Sequence, residues 1–170
     1  MAHTLSIASK LLSLKDRFQI ADAHGKTVFD CTWRFSLLRT PWVLERNGQR
    51  VAVWRRKLWA FASTWTVESD HGNYRIRRKV FSFRRVLQVR GGPLDGAELV
   101  GSVFDRRFTL RRDGVTLAKA REEWVSLRDR YDIDIVDERP EVELLTAVLM
   151  AQLLIEKRQE RRVRDTEKAA

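Results

Sequence analysis

The sequence predicts a mainly β domain: a series of short antiparallel strands that closes around one buried C-terminal helix. Three observations carry that expectation. Glycine-bearing polar turns recur at 23–26 (AHGK), 46–49 (RNGQ), 70–73 (DHGN), 91–98 (GGPLDGAE) and 112–115 (RDGV), each between short apolar or alternating runs, which is the punctuation of hairpins. An internal similarity repeats at multiples of roughly 22 residues. After Pro140 the pattern changes, and EVELLTAVLMAQLLIEK contains strong helix formers with no Gly or Pro.

The strands are read from alternation. TVFDCTWRF places Phe29, Cys31, Trp33 and Phe35 on one face and Asp30, Thr32 and Arg34 on the other. NYRIRRK alternates Tyr74 and Ile76 with Arg75 and Arg77, and RYDIDIVD sets Tyr131, Ile133 and Ile135 against Asp132 and Asp134. Period two is the signature of a half-buried strand.

The similarity appears when KLLSLKDRFQI (from Lys10), KLWAFASTWTV (from Lys57), KVFSFRRVLQV (from Lys79) and EWVSLRDRYDI (from Glu123) are stacked. Each has a small fourth residue, a large apolar fifth, an aromatic or Leu ninth and an Ile or Val eleventh. The starts are separated by 47, 22 and 44 residues, so six two-strand units, about twelve strands, tile the body, with imperfect register in the two unmatched units. That many short antiparallel strands close into a barrel or stack as a sandwich to remove their edges.

The final segment is a helix over 141–160. Pro140 with Glu141 and Glu143 suits its start. Between Val142 and Ile155 only Glu143, Thr146 and Gln152 are polar, so the helix is apolar nearly all round and must be surrounded by protein. At about fourteen residues this stretch is too short to span a bilayer. A place through the middle of a closed barrel satisfies it. The expected organisation is therefore one domain over 1–160 with a charged, disordered tail at 161–170.

Composition bounds the function. The 170 residues are 33% charged and 44% apolar, the balance of a folded soluble domain. Thirty-three Lys and Arg against 23 Asp and Glu give +10, a bias toward phosphate-rich partners. One cysteine, Cys31, and three scattered His assemble no structural zinc site, and they make a reducing, cytoplasmic setting the default. The opening MAHTLSIASKLL lacks a signal-peptide pattern, and no apolar run reaches membrane-spanning length.

The ordered set DRFQIADAHGKTVFD, RVAVWRRKLW and RDRYDIDIVDERPEVELLTAVLMAQLLIE resembles the LURP-one-related family of the tubby C-terminal-like superfamily, allied to phospholipid scramblases. The resemblance covers roughly residues 4 to 157. It implies a twelve-stranded antiparallel barrel around the final helix. It also implies phospholipid ligands, because tubby proteins bind phosphoinositides through basic surface residues and scramblases act on phospholipids. The scramblase calcium segment corresponds to Asp132, Asp134 and Asp137 here. Asp132 and Asp134 alternate outward on a strand without the glycine or twelfth-position Glu of a calcium loop, which reads as a solvated face.

Catalytic chemistry finds little support, and no catalytic residue, cofactor or metal is expected. G-x-S-x-G is absent, and Cys31 falls on an apolar face beside Phe29 and Trp33. His24 and His71 precede turn glycines. Glu122 and Glu123 are adjacent on a strand and diverge. GGPLDG lacks the Lys-Ser/Thr of a phosphate loop.

The informative constellation is electrostatic. From Arg46 to Arg90 there are twelve Lys or Arg against Glu68 and Asp70, a window that alone equals the net charge of +10. If their strands are neighbours, Arg55, Lys57, Arg75, Arg77, Lys79 and Arg84 form a basic sheet face, with Trp54, Trp59 or Trp65 available at its interface. The expected function is non-enzymatic docking on anionic phospholipid or phosphoinositide headgroups, peripheral at the membrane. The alternatives are nucleic-acid binding through the same arginines, scramblase-like activity, or a scaffold for a protein partner.

Overall fold

The computed structural model describes residues 3–8, 17–34, 41–57, 63–79, 84–102, 106–125 and 128–169. They form twelve strands: β1 (His3–Ala8), β2 (Arg17–Asp22), β3 (Thr27–Trp33), β4 (Trp42–Arg46), β5 (Gln49–Arg56), β6 (Thr64–Ser69), β7 (Gly72–Arg78), β8 (Arg85–Arg90), β9 (Glu98–Ser102), β10 (Arg107–Arg112), β11 (Val115–Val125) and β12 (Arg128–Ile135). One helix, α1 (Pro140–Ala169), follows. Every strand pairs antiparallel with its sequence neighbours, and β1 also pairs with β12, so the meander closes into a barrel. Closure, rather than stacking into a sandwich, removes the sheet edges.

The five glycine-bearing turns join β2 to β3, β4 to β5, β6 to β7, β8 to β9 and β10 to β11, and therefore gather at one end of the barrel. Two of the tight turns are left-handed at both central residues. Asn47 and Gly48 have φ of 52° and 76°, and Asp113 and Gly114 have 49° and 80°. Positive φ at both central residues is the type I′ geometry that matches strand twist.

The alternation sorts as the sequence implies: Phe29 and Cys31, Tyr74 and Ile76, and Tyr131, Ile133 and Ile135 are buried inside the barrel. Trp33, at the end of β3, is 39% exposed, and Phe35 lies outside the described residues. On β9, Gly101 sits opposite Phe108 of β10. A Cβ there would fall 1.9 Å from the Phe108 ring. The missing side chain is the space this aromatic occupies, and it lets Phe108 meet Tyr131 edge-on at 5.9 Å.

α1 fills the interior. The N–H groups of Val136 and Asp137 both donate to the Leu117 carbonyl, at 2.9 and 3.0 Å, turning the chain inward at the glycine-turn end. Every residue from Leu144 to Glu156 is buried. Several interior polar groups are matched to one another, while the Tyr74 hydroxyl and Glu156 Oε2 are buried without a hydrogen-bond partner among the described residues. Trp54 Nε1 donates to Gln152 Oε1 at 3.0 Å, Gln152 Nε2 donates to Glu156 Oε1 at 3.2 Å, and Thr146 Oγ1 returns to the Val142 carbonyl at 2.6 Å. Ion pairs hold both ends of the buried stretch: Arg46 to Glu143 at 2.9 Å where the helix enters, and Arg85 to Glu160 at 2.8 Å and Lys157 to Glu122 at 2.9 Å where it leaves.

The helix does not stop at 160. It continues to Ala169, through the stretch for which the sequence suggested a disordered tail. The physical reason is propagation from a buried nucleus: once the turn is fixed inside the barrel, each further Arg, Glu, Lys or Ala adds at little cost. Glu160 and Arg164 are spaced four apart in the favourable order.

Two outcomes are expected. Gly101→Ala lowers unfolding stability by about 2 kcal/mol through the Phe108 clash, measured as the urea midpoint. Glu156, buried inside the barrel, has its carboxyl held above the ordinary value of 4.5 by burial, against the pull of Gln152, Arg78 and Arg85. A folded-state pKa raised above the unfolded one means that its contribution to stability is full below 4.5 and is lost as pH rises through the folded value. Glu156→Gln removes that slope, so urea titrations from about pH 5 to 8 show a smaller loss of stability than in the parent.

Candidate functional site

The β alternation that buries Tyr74 and Ile76 sends Arg75 and Arg77 outward on β7. Register then aligns the neighbours. Arg55, Thr66, Arg75 and Arg90 form one outward row across β5, β6, β7 and β8. Thr64, Arg77, Gln88 and Glu98 form the next. Lys57 joins this second row, because its N–H donates to the Thr64 carbonyl at 2.8 Å, and Lys79 follows Arg77 outward with its N–H on Val86 at 3.0 Å. Facing residues on adjacent strands stand about 5 Å apart and diagonal neighbours about 7 to 8 Å. Arg75, Arg77 and Arg90 therefore make one tight group, flanked across β6 by Arg55 and Lys57.

Partners grade this wall. Arg55 lies 3.7 Å from Glu68, and Lys79 donates to Glu98 at 3.1 Å. The Glu98 carboxyl is held below its usual range, first by the Gln88 amide at 2.7 Å and then by Lys79. Lys57, Arg75, Arg77 and Arg90 are exposed and ion-pair with no acidic side chain among the described residues. Arg84 does not join them. It lies just before β8 at a separate open depression over β9 to β11, shared with Arg107 and Arg111 and with the hydroxyls of Ser102, Thr109 and Thr116.

The charge-rich window of the sequence is thus divided between two duties. Arg46, Arg78 and Arg85 serve the helix, pairing with Glu143, Glu156 and Glu160, while Arg75, Arg77 and Arg90 face solvent. Arg90 escaped the sequence-based selection although the alternation in LQVR, with Leu87 and Val89 buried, points it outward. Arg107 and Arg111 lay outside the window, and only register places them beside Arg84.

The other candidates resolve into structure. Trp54 and Trp65 are core residues, Trp54 stacking on Trp42 at 6.4 Å, and Trp59 lies outside the described residues. Cys31 is fully buried and burial pushes its thiol well up, the opposite of an activated nucleophile. Glu122 accepts from the Tyr131 hydroxyl and Lys157. Asp132 pairs with Arg130 at 3.0 Å, Asp134 accepts from Thr4 at 3.2 Å and Asp137 grips Arg139 at 2.7 Å. Among the described residues no three His, Cys, Asp or Glu are grouped to hold a metal, and no helix is long and apolar enough to cross a membrane.

Arg75 directly faces Arg90 across β7 and β8. Like charges directly opposite on a sheet are destabilising. Arg90→Gln is therefore expected to raise stability by about 0.2 to 1 kcal/mol at low salt, with the gain fading in about 1 M salt as screening contracts the field; parallel urea melts check it.

A sequence model of LURP-one-related proteins matches residues 3–154 of the chain. Curated proteins yield no match. Among solved structures, a crystal structure of a protein from Arabidopsis thaliana superposes with a TM-score of 0.63 at 16% identity, covering 90% of this chain and 91% of that one. That likeness shows the fold, and the family match spans the barrel together with most of the buried part of its helix. The chain belongs to the LURP-one-related family.

Proposed function

We propose that this protein is a non-enzymatic binding module that docks on anionic phospholipid headgroups through the outer wall of β5 to β8. The observation that carries the reading is the group of Lys57, Arg75, Arg77 and Arg90, exposed on adjoining strands and ion-paired with no acid among the described residues. Each basic residue near an anionic leaflet contributes roughly 1 kcal/mol. Four together give about 4 kcal/mol, roughly a thousandfold in partitioning, with strong dependence on salt.

Two features support a surface mode of membrane contact. The apolar stretch of α1, which could otherwise serve as an anchor, is buried inside the barrel from Leu144 onward. The large aromatics of the window, Trp54 and Trp65, also face the interior. What the wall offers a membrane is guanidinium and ammonium charge, so binding is electrostatic and reversible. Arginine forks favour phosphate oxygens over generic negative charge.

The test is co-sedimentation with vesicles of phosphatidylcholine alone, with phosphatidylserine, and with a phosphoinositide, at low and physiological salt and with duplex DNA as competitor. Binding to both anionic vesicles, retained against DNA and lost in the Arg75→Glu, Arg77→Glu, Arg90→Glu triple variant, is the expected result. Displacement by DNA at equal charge would transfer the wall to nucleic acid, and absence of binding at low salt would sink the membrane reading.

A further inference from the structure

We infer that the depression over β9 to β11 is a seat for a phosphomonoester group, separate from the outer wall of β5 to β8. Its construction follows from register. Arg107, Thr109 and Arg111 are alternate residues of β10 and face outward together, with Ser102 opposite Arg107 and Thr116 opposite Arg111. Arg84 approaches from the strand beyond Ser102, because its neighbour Arg85 pairs with Gly101. Three guanidiniums and three short hydroxyl side chains therefore line the depression.

The chemistry matches a dianion with three terminal oxygens. A guanidinium presents five N–H donors and no acceptor, and a hydroxyl adds one donor that rotates to suit. Glu98 stands beside the site, 3.7 Å from Arg111. Glu98 takes hydrogen bonds from Gln88 and Lys79, so Arg111 holds it by charge alone and keeps its N–H donors for a second anion. A monoester near neutral pH carries close to two charges and three acceptor oxygens, whereas a diester offers one charge and two free oxygens. Two guanidiniums, Arg107 and Arg111, with the Thr109 and Thr116 hydroxyls between and beside them, favour the former. The seat does not rest on the membrane reading, because a lipid headgroup and a soluble ester present the same group.

Calorimetric titration with glycerol 3-phosphate, a monoester, and dimethyl phosphate, a diester, tests the seat on the intact protein. Wild type is expected to bind the monoester saturably and about tenfold more tightly than the diester. R107Q/R111Q, at two exposed positions, loses about tenfold or more of that affinity, T109V loses a smaller share, and R75Q/R77Q/R90Q is unchanged. Vesicles of phosphatidic acid and of phosphatidylglycerol, matched in surface charge, identify the source. A phosphatidic acid preference that R107Q/R111Q abolishes assigns a lipid headgroup, and soluble binding without vesicle preference assigns a soluble ester; both support the seat. Wild-type monoester affinity in R107Q/R111Q, equal affinity for monoester and diester, or no saturable binding to either the soluble ester or phosphatidic acid overturns it.

Discussion

The filling of the barrel by α1 is the constraint on which the rest depends. An eight-stranded barrel can pack its interior with its own side chains, but diameter grows with strand number, and twelve strands leave room for a helix about 10 Å across. Either the sheet collapses or something occupies its axis. The run from Leu144 to Glu156 is buried on every side, which explains why it carries no polar face. Three of the polar side chains admitted are linked along one line from Trp54 through Gln152 to Glu156. Such a buried polar chain is satisfied in one axial register of the helix, so it fixes how deep α1 sits.

The same constraint divides the charge. A helix entering and leaving a barrel exposes its ends to the rim, and the rim supplies arginines: Arg46 at entry, Arg78 and Arg85 at exit. These cations are set against acids of α1 and are lost to any external partner. What remains on the outer wall is determined by strand parity, because the residues between inward-facing ones must face solvent. The concentration of unneutralised charge on β7 and β8 is thus a statement about which alternate positions were left over once the core and the helix rim were served.

Much of this was legible in the residues. In the four similar segments the ninth and eleventh positions are Phe18 and Ile20, Trp65 and Val67, Leu87 and Val89, Tyr131 and Ile133; all are buried, and they are the inward residues of β2, β6, β8 and β12. The spacing therefore reports every second strand of a hairpin meander. The two unmatched units became β4 and β10. Charge was harder to read. Arg75 and Arg85 are indistinguishable by composition, yet one faces solvent and the other has a side chain only 9% exposed against Glu160. The depression was invisible for a similar reason: Arg84 and Arg107 approach one another only through cross-strand pairing of β8, β9 and β10.

β1 and β12 join residues such as Thr4 and Asp134, 130 positions apart, and they do so directly ahead of the helix that fills the barrel. During synthesis on the ribosome, then, the sheet emerges strand by strand as an open, curling ribbon whose first edge waits unpaired for its last partner, and whose apolar lining waits for the final segment. Closure of the ring and insertion of its axis both wait until β12 and α1 have emerged. Such late, distant pairing makes assembly slow relative to a helical protein of equal size, and the nascent chain spends that interval with an edge and a lining that other chains can seize.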